Sequence, residues 1–284
     1  MKILIFGASG FLGTKLKKLF LEKGHEVFGT DFNGNSDFKI DATKFSLVLK
    51  IIKEKKPEIV IDTVGLTNSI DCERNPKKAK NLNYLTAKNI SKACEINGSK
   101  MFFFSSSYVF DGKKGDYTEN DSTNPLGVYG KTKLMAEKEV LKNKWNVVFR
   151  VDIMYGYNGK NCPNGIFQKI IDGTEIGLLE PDQKRSPLFV EDIPEVILAL
   201  NKINKGGIFH LAGPDNILIK HFLISLEKII RTKSLIKIVN NQDLKIIPKN
   251  SNLNSEKIKS LGIKTTPLEE ALKIIKKQII SQKL

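Results

Sequence analysis

A tyrosine and a lysine lie four residues apart in the segment VYGKTKLMAEKEV, as Tyr129 and Lys133. Upstream, the apolar run KMFFF ends in three serines, and the second of these is Ser106. Side chains at positions i and i+4 of a helix are neighbours, so the segment places the Lys133 ammonium beside the Tyr129 phenol. A nearby positive charge lowers the pKa of a tyrosine from about 10. We therefore predict a general acid/base that moves a proton onto or off a carbonyl oxygen.

The spacing by itself does not identify this pair. The chain has 6 tyrosines and is rich in lysine, and a second match occurs at Tyr84 and Lys88. We interpret that second pair as a packed tyrosine beside a solvated lysine. Two features distinguish Tyr129 from it: the serines at the end of the apolar run, and an independent motif near the N-terminus.

The N-terminal motif is a glycine turn with the spacing G-x-x-G-x-x-G, directly after the apolar run KILIF. Leu12, Leu16 and Leu19 follow with helical spacing. Glycine lets the backbone approach a pyrophosphate closely, and a helix N-terminus offers free N–H groups and a positive dipole to the anion. A strand, a glycine turn and a helix in this order predict a dinucleotide site. We expect cofactor contacts from Gly7, Ser9, Gly10, Phe11, Leu12 and Gly13.

A carboxylate follows the second apolar run, EVFGT, as Asp31, 18 residues after Gly13. In dinucleotide-binding folds a carboxylate near this position contacts the adenosine ribose hydroxyls. Asp31 should repel a 2′-phosphate, and no basic residue follows before Lys39, so charge favours NAD over NADP. The alternative is a loop aspartate that caps a turn. Further cofactor contacts are expected from Asp41, Ala42, Thr63, Val64 and Gly65, together with Tyr129 and Lys133.

Strand-like and helical stretches alternate in the first half of the chain, with apolar runs at KILIF, EVFGT, EIVIDT, KMFFFS and NVVFRV. This alternation predicts an α/β fold with a doubly wound parallel sheet. Such sheets bind ligands at the carboxyl ends of their strands, where Gly7, Asp31, Gly65 and Ser106 all fall.

The pattern changes beyond Tyr155, where YGYNGKNCPNG is a turn-rich loop that we expect to form a wall or lid of the substrate site. Helical periodicity returns around residues 191–201, and GIFHLAG is expected to rejoin the sheet. A last helix presents an apolar face for core packing. We predict a dinucleotide-binding domain over residues 1–155, with a return segment near 186–212, and a smaller, mainly substrate-binding region over 156–284. The residues of that apolar face are Leu268, Leu272, Ile275 and Ile279.

Composition agrees with a globular enzyme of 284 residues, 40% hydrophobic and 27% charged. We expect no membrane helix, since no apolar run reaches 18 residues, and no signal peptide, because the chain enters a strand at once. Cys72, Cys94 and Cys162 lack metal or redox spacing, so we expect a reducing cytoplasm and no metal.

The net charge of +15 comes almost entirely from lysines spread along the chain, with only four arginines. Arginine is the better ligand for planar, bidentate recognition of bases and phosphates. We therefore favour a solvated lysine-rich surface over nucleic-acid binding.

The glycine turn and the Tyr–Lys pair together resemble the extended short-chain dehydrogenase/reductase superfamily. The block SSSYVFDGKKGDYTENDSTNPLGVYGKTKLMAEKEV is similar to the dTDP-4-dehydrorhamnose reductase family. That family's pattern runs S-T/S-D-Y-V-F-D-G, then Y-x-E-x-D, then N-P-L-x-x-Y-G-x-T-K-L-x-G-E. The resemblance continues at GLTNSIDCERNPKKAKNLN and FRVDIMYG, and more weakly at RSPLFVEDI, GIFHLAG and NSEKIKSLGIKTTPLEEAL, so it covers essentially the whole chain.

The resemblance implies an NAD(P)-dependent reductase of a nucleotide-linked 4-keto-6-deoxy sugar. Hydride would pass from the nicotinamide to the carbonyl carbon, with a proton from Tyr129 and a hydrogen bond from Ser106. Lys133 would depress the Tyr129 pKa and hold the nicotinamide ribose. Two residues depart from the pattern, because Ser107 stands where the family usually has Asp, and Ala136 where it has Gly.

The resemblance also suggests substrate contacts, expected from Ser107, Tyr108, Arg150 and Arg185. For Arg150 a structural role and an active-site role are equally open. Arg185 is either a contact to the nucleotide-sugar diphosphate or a surface arginine. Asn83, which resembles a family asparagine near the active site, is expected to be structural.

Two alternatives stay open at this point. One is another NAD-dependent nucleotide-sugar enzyme, an epimerase or dehydratase, although no acidic side chain follows Ser106 to drive elimination. The other is a regulatory binding subunit, since the beta subunit of methionine adenosyltransferase has a very similar central block. A homodimer is compatible with each of these.

Overall fold

The computed structural model describes residues 1–159, 163, 165–172, 176–178, 182–230, 236–238 and 245–281. Its strands are β1 (Lys2–Phe6), β2 (Glu26–Asp31), β3 (Phe38–Lys39), β4 (Ile59–Asp62), β5 (Lys100–Ser106), β6 (Val147–Val151), β7 (Met154–Tyr155), β8 (Ile176–Leu178), β9 (Lys184–Arg185), β10 (Leu188–Phe189), β11 (Gly207–His210), β12 (Ile217–Leu218) and β13 (Ile236–Ile238). Its helices are α1 (Phe11–Glu22), α2 (Phe45–Lys55), α3 (Ser69–Arg74), α4 (Pro76–Ala79), α5 (Thr86–Asn97), α6 (Val128–Val140), α7 (Ile166–Ile171), α8 (Ile193–Lys202), α9 (Ile219–Ile230), α10 (Glu256–Lys259) and α11 (Leu268–Ser281).

Seven strands form one sheet in the order β11-β6-β5-β4-β1-β2-β3, and every neighbouring pair is parallel. The predicted doubly wound parallel sheet is confirmed, and each of the five apolar runs forms one of its strands. Parallel strands covered on both faces are apolar on both faces, which explains why these runs show no polar alternation.

The two faces of the sheet pack against different helices. In β1, Ile3 and Ile5 join a core cluster with residues of α1 and α8, whereas Leu4 and Phe6 join a cluster with residues of α2, α5 and α6. Successive side chains of a strand point to opposite faces, so one short apolar strand serves both layers. The catalytic candidates on α6 and the glycine turn before α1 are thereby held by separate, fully packed layers.

A third core cluster lies in the C-terminal part of the chain and includes Tyr155, Phe167, Phe222 and Ile275. The apolar face predicted for the last helix packs into this cluster, so that prediction is confirmed. The segment GIFHLAG returns to the main sheet as β11, beside β6. The division into two domains stays a prediction. Part of the predicted lid loop, with Cys162, lies outside the described residues.

A buried ion pair lies directly beneath the catalytic strand end. Arg150 of β6 donates through Nη2 to Glu137 Oε2 of α6 at 2.8 Å, and both side chains are almost completely buried, 4% and 2% exposed. Ser105 Oγ, at the end of β5, donates to the other Glu137 oxygen at 2.5 Å. Because Arg150 is a strand residue engaged with Glu137, the substrate contact predicted for it is corrected to a structural role.

Within the described part of the chain, no helix combines the length and the apolar character needed to cross a membrane.

Replacing Glu137 by Gln should destabilise the fold by about 3–5 kcal/mol, because it leaves the buried Arg150 guanidinium without a compensating charge. Urea unfolding followed by circular dichroism measures this change. The matched control is Glu139→Gln on the same helix, which removes a salt bridge to the exposed Lys142 and should leave the unfolding midpoint almost unchanged. Equal losses of stability in the two variants would contradict this account of the ion pair.

Candidate active site

Two adjoining cavities open at the carboxyl ends of β1, β2, β4 and β5, with volumes of about 1040 Å³ and 870 Å³. We call them the first and the second cavity. Both are lined by Gly10 of the glycine turn and by Thr63, Val64 and Gly65 after β4. Because they share these walls, the two cavities form one continuous cleft, long enough for an extended ligand to pass from one to the other.

The glycine turn is shaped so that side chains could not be added to it. Gly7 has φ +81°, and a Cβ on Gly13 would lie 2.2 Å from the Gly7 carbonyl oxygen. Helix α1 starts after Gly10, which offers no side-chain cap to the first N–H groups. Uncapped N–H groups at a helix N-terminus are a site for an anion, so the turn fits a pyrophosphate. The predicted contact residues divide between the first cavity, lined by Gly7, Ser9 and Gly10, and the second, lined by Gly10, Phe11, Leu12 and Gly13.

Asp31, the last residue of β2, lies in the wall of the first cavity. Its Oδ2 accepts a hydrogen bond from the Ser9 N–H at 2.5 Å, which ties the carboxylate to the glycine turn. Asp41 lines the same cavity and accepts from the Thr43 hydroxyl at 2.6 Å. Ala42 is its neighbour in the wall, so the first cavity brings together all the residues predicted for the adenosine end of a dinucleotide.

Ser106, Tyr129 and Lys133 all line the second cavity. Ser106 ends β5 and hydrogen-bonds the Tyr129 phenol. The Tyr108 and Tyr129 rings meet edge to face with centroids 5.7 Å apart. Helix α6 lies directly against the loop after β5, since a Cβ on Gly130 would be 2.1 Å from the Tyr108 carbonyl oxygen. This close approach places the phenol beside the serine. The competing match at Tyr84 and Lys88 lines neither cavity and forms only a ring-to-ammonium contact of 5.9 Å.

The Lys133 ammonium lies in the wall of the second cavity, beside β5. Its Nζ donates to the Phe104 carbonyl oxygen at 2.9 Å and lies 4.8 Å from the centroid of the Phe103 ring. A Cβ on Gly65 would be 3.4 Å from this Nζ, so glycine there leaves room for the ammonium. Burial lowers the pKa of Lys133, and the negative charge of Asp62 opposes this effect.

The Tyr129 phenol is held in its protonated form. Burial raises the pKa of Tyr129, and the hydrogen bond with Ser106 only partly opposes this effect. The expectation that Lys133 lowers this pKa is therefore wrong for the protein without a bound ligand. Spacing of i and i+4 brings the two side-chain stems together, but the ammonium turns to the Phe104 carbonyl instead of the phenol. A neutral phenol at physiological pH can give a proton to an oxygen that gains negative charge.

Asp62, the last residue of β4, is a charged group that sequence reasoning missed. It is almost completely buried, and its Oδ2 finds no hydrogen-bond partner in the described part of the chain. Burial raises the pKa of Asp62 to about 6, against the opposing charge of Lys133. The available signal was a carboxylate directly after the three apolar residues IVI of β4. Asn83, by contrast, has the expected structural role, since it bonds both backbone groups of Leu66.

Of the predicted substrate residues, some line the second cavity and others do not. Tyr108 and Arg185 line the second cavity, and Arg185 is buried, which excludes the surface-arginine alternative. Ser107 lies behind the cavity wall, completely buried, so its predicted substrate contact is corrected. Its hydroxyl instead donates to Asp152, a cavity-lining carboxylate that the sequence reasoning did not select. The signal for Asp152 was an acidic residue directly after the strand FRV.

Comparisons with known proteins cover the whole chain. Residues 1–280 match the family model described as the RmlD substrate binding domain. The dTDP-4-dehydrorhamnose reductase of Aggregatibacter actinomycetemcomitans is 29% identical over 97% of this chain and 98% of that protein. The methionine adenosyltransferase 2 subunit beta of Danio rerio is 29% identical over 75% of this chain and 69% of that protein. A crystal structure of dTDP-4-dehydrorhamnose reductase from Bacillus anthracis with NADP has a TM-score of 0.84 and 24% identity, over 96% of this chain and 98% of that one, and shows the same fold.

We expect no Tyr129 phenolate in the free protein at pH 9, because burial keeps the pKa of Tyr129 above its ordinary value of about 10. Ultraviolet difference titration of the wild type against Tyr129→Phe isolates this phenol from the other tyrosines. A phenolate step between about pH 7 and 8 that is missing in Tyr129→Phe would show that the Lys133 charge dominates after all.

Asp31→Asn should increase the affinity for NADPH relative to NADH, because it removes the charge that repels a 2′-phosphate while keeping an acceptor for the Ser9 N–H. Fluorescence titration with both cofactors gives the ratio of the two dissociation constants. As a control, Asp41→Asn should change both affinities in parallel. The ribose assignment for Asp31 fails if the ratio in Asp31→Asn equals that of the wild type.

Proposed function

This chain belongs to the family of the RmlD substrate binding domain, and from that membership we propose that it reduces a nucleotide-linked 4-keto-6-deoxy sugar with NAD(P)H. The Aggregatibacter actinomycetemcomitans relative carries the name dTDP-4-dehydrorhamnose reductase, and both chains are covered almost from end to end. The proposed substrate class rests on that relative, and the proposed proton transfer rests on the geometry of the site.

A single observation carries the proposal: the Tyr129 phenol, hydrogen-bonded to Ser106, lies in a cavity that continues to the glycine turn. A carbonyl oxygen bound there gains negative charge as the carbonyl is reduced. Tyr129 gives its proton to that oxygen, and the Ser106 hydroxyl donates a hydrogen bond to it. The Lys133 ammonium, which lines the same cavity, stabilises the negative charge that the loss of the proton leaves on the phenol.

The cofactor that fits the cleft is a nicotinamide dinucleotide, which when bound supplies the hydride for the carbonyl carbon. Gly7, Gly10 and Gly13 would hold its pyrophosphate at the start of α1, and Asp31 its adenosine ribose. We propose NAD as the preferred form, on the charge of Asp31. Because the Bacillus anthracis reductase was crystallised with NADP, both forms belong in every assay.

The alternative of a regulatory subunit has less support. The methionine adenosyltransferase 2 subunit beta of Mus musculus is 28% identical over 96% of this chain, but only 86% of that protein is covered, whereas 98% of the reductase is covered. A dehydratase is disfavoured by the residues after Ser106, which are Ser107 and Tyr108 and carry no acid to drive elimination. Affinity purification from the native cell distinguishes the regulatory role, because a binding subunit would bring a synthetase with it. The cytoplasmic location and the homodimer stay predictions, and sedimentation velocity would measure the assembly.

Tyr129→Phe should lower the turnover number by a factor of about 10² to 10⁴, because it removes the proton donor and leaves the cleft intact. The assay is a panel of 4-keto nucleotide-sugars, with oxidation of NADH and NADPH followed in parallel. Cofactor affinity should stay within about twofold of the wild type, since the phenol oxygen contributes little to a site that buries a whole dinucleotide.

The matched control is Tyr84→Phe, which removes the hydroxyl of the other Tyr-x-x-x-Lys pair and should leave turnover unchanged. Wild-type turnover in Tyr129→Phe would remove Tyr129 from the mechanism. A wild-type protein that reduces no sugar of the panel with either cofactor would refute the proposed function.

A further inference from the structure

A buried carboxylate lies where β6 ends, in the lining of the second cavity. It belongs to Asp152, whose side chain is 2% exposed. Its Oδ1 accepts from the hydroxyls of Ser107 and Ser251, each at 3.1 Å, and its Oδ2 accepts from the Ser186 N–H at 2.9 Å. Burial raises the pKa of Asp152, and the neighbouring Arg185 opposes that rise.

The positive partner of this carboxylate is Arg185 of β9, whose Nε is 4.0 Å from Asp152 Oδ1. The rest of its guanidinium is saturated with protein acceptors between 2.9 and 3.1 Å. Arg185 therefore ties together residues 183–186 and 248–251, which adjoin the cavity-lining residues Gln183 and Ile247. Those acceptors are the carbonyl oxygens of Lys184, Pro248 and Lys249, the Ser251 hydroxyl and the Gln183 side chain.

Residues 106–108, at the end of β5, form a segment that we call the catalytic loop. This loop contacts the Asp152–Arg185 pair at two points. Ser107 donates to Asp152, and the Tyr108 phenol hydrogen-bonds Arg185. Ser107 directly follows Ser106, whose Oγ accepts from the Tyr108 N–H at 3.2 Å. The ion pair thus links residues 106–108 to residues 183–186 and 248–251.

We propose that Asp152, paired with Arg185, is a positioning residue that sets Ser106 and Tyr108 against the substrate side of the cavity, and that it provides from β6 the carboxylate that the family pattern places at residue 107. This inference rests on the proposed reductase function.

The buried charge of Arg185 explains why a single carboxylate, on residue 107 or on residue 152, is needed beside it. Arg185 is 4% exposed on its side chain, and a buried cation without a counter-charge is strongly destabilising. The Ser107 Oγ and the Asp152 Oδ1 are 3.1 Å apart, so a carboxylate on either residue occupies nearly the same place. Two carboxylates would repel each other at that distance, and the absence of both would leave Arg185 unpaired.

The exchange is tested with Asp152→Ser, Ser107→Asp and the double variant that swaps the two side chains. Each single change should lower the turnover number at least about tenfold through displacement of the catalytic loop, with NADH affinity nearly unchanged. The swap should recover most of the lost turnover and of the lost urea midpoint. Asp172→Ser, which removes an exposed carboxylate at the end of α7, is the control and should leave both values unchanged.

Asp152→Asn provides a second test if the single variants fold poorly, because it keeps the shape and an acceptor but removes the charge. Its turnover should fall while NADH affinity is retained. Wild-type turnover in Asp152→Asn, or a swap no better than the worse single change in both turnover and urea midpoint, would overturn the inference. If the wild type reduces no sugar of the panel, the proposed function fails. In that case the urea midpoints of the wild type, the two single variants and the double variant still show whether residues 107 and 152 are coupled.

Discussion

The carboxyl ends of four neighbouring parallel strands meet at one edge of the sheet, and the whole site depends on that constraint. β1, β2, β4 and β5 each deliver one functional element there: the glycine turn, Asp31, the Thr63–Gly65 wall and Ser106. Because parallel strands need crossover helices, the same topology places α1 behind the turn and α6 beside the serine. The cleft is continuous because its elements belong to adjacent strands.

Near that edge, the protein buries several charged side chains. Lys133 lines the second cavity and Asp62 is buried at the end of β4, while Glu137 pairs with Arg150 and Asp152 pairs with Arg185. Each of these two ion pairs joins side chains from different segments of the chain, which orders the backbone around the site. Burial also keeps the Tyr129 phenol neutral, so the fold itself selects a proton donor over a phenolate.

Short sequence motifs predicted the structure correctly where a single strand, turn or helix determines it. The run KILIF followed by three glycines predicted the strand, the turn and the helix, because glycine is required where a Cβ on Gly13 would meet the Gly7 carbonyl. The central block predicted the serine, the tyrosine and the lysine that now line one cavity. The substrate contacts predicted for Arg150 and Ser107 were less well supported, because the sequence does not show whether a side chain next to a site points into it or away from it.

The sequence by itself determined the α/β fold with its doubly wound parallel sheet, and it distinguished Tyr129 from Tyr84 as the catalytic candidate. These properties depend on periodicity and on short motifs, which are local. Only the tertiary structure decided which neighbour each charge meets: Lys133 bonds the Phe104 carbonyl, Arg150 bonds Glu137, and Ser107 bonds Asp152. Long-range packing makes those choices, because the free energy of a buried charge depends on partners that are distant along the chain.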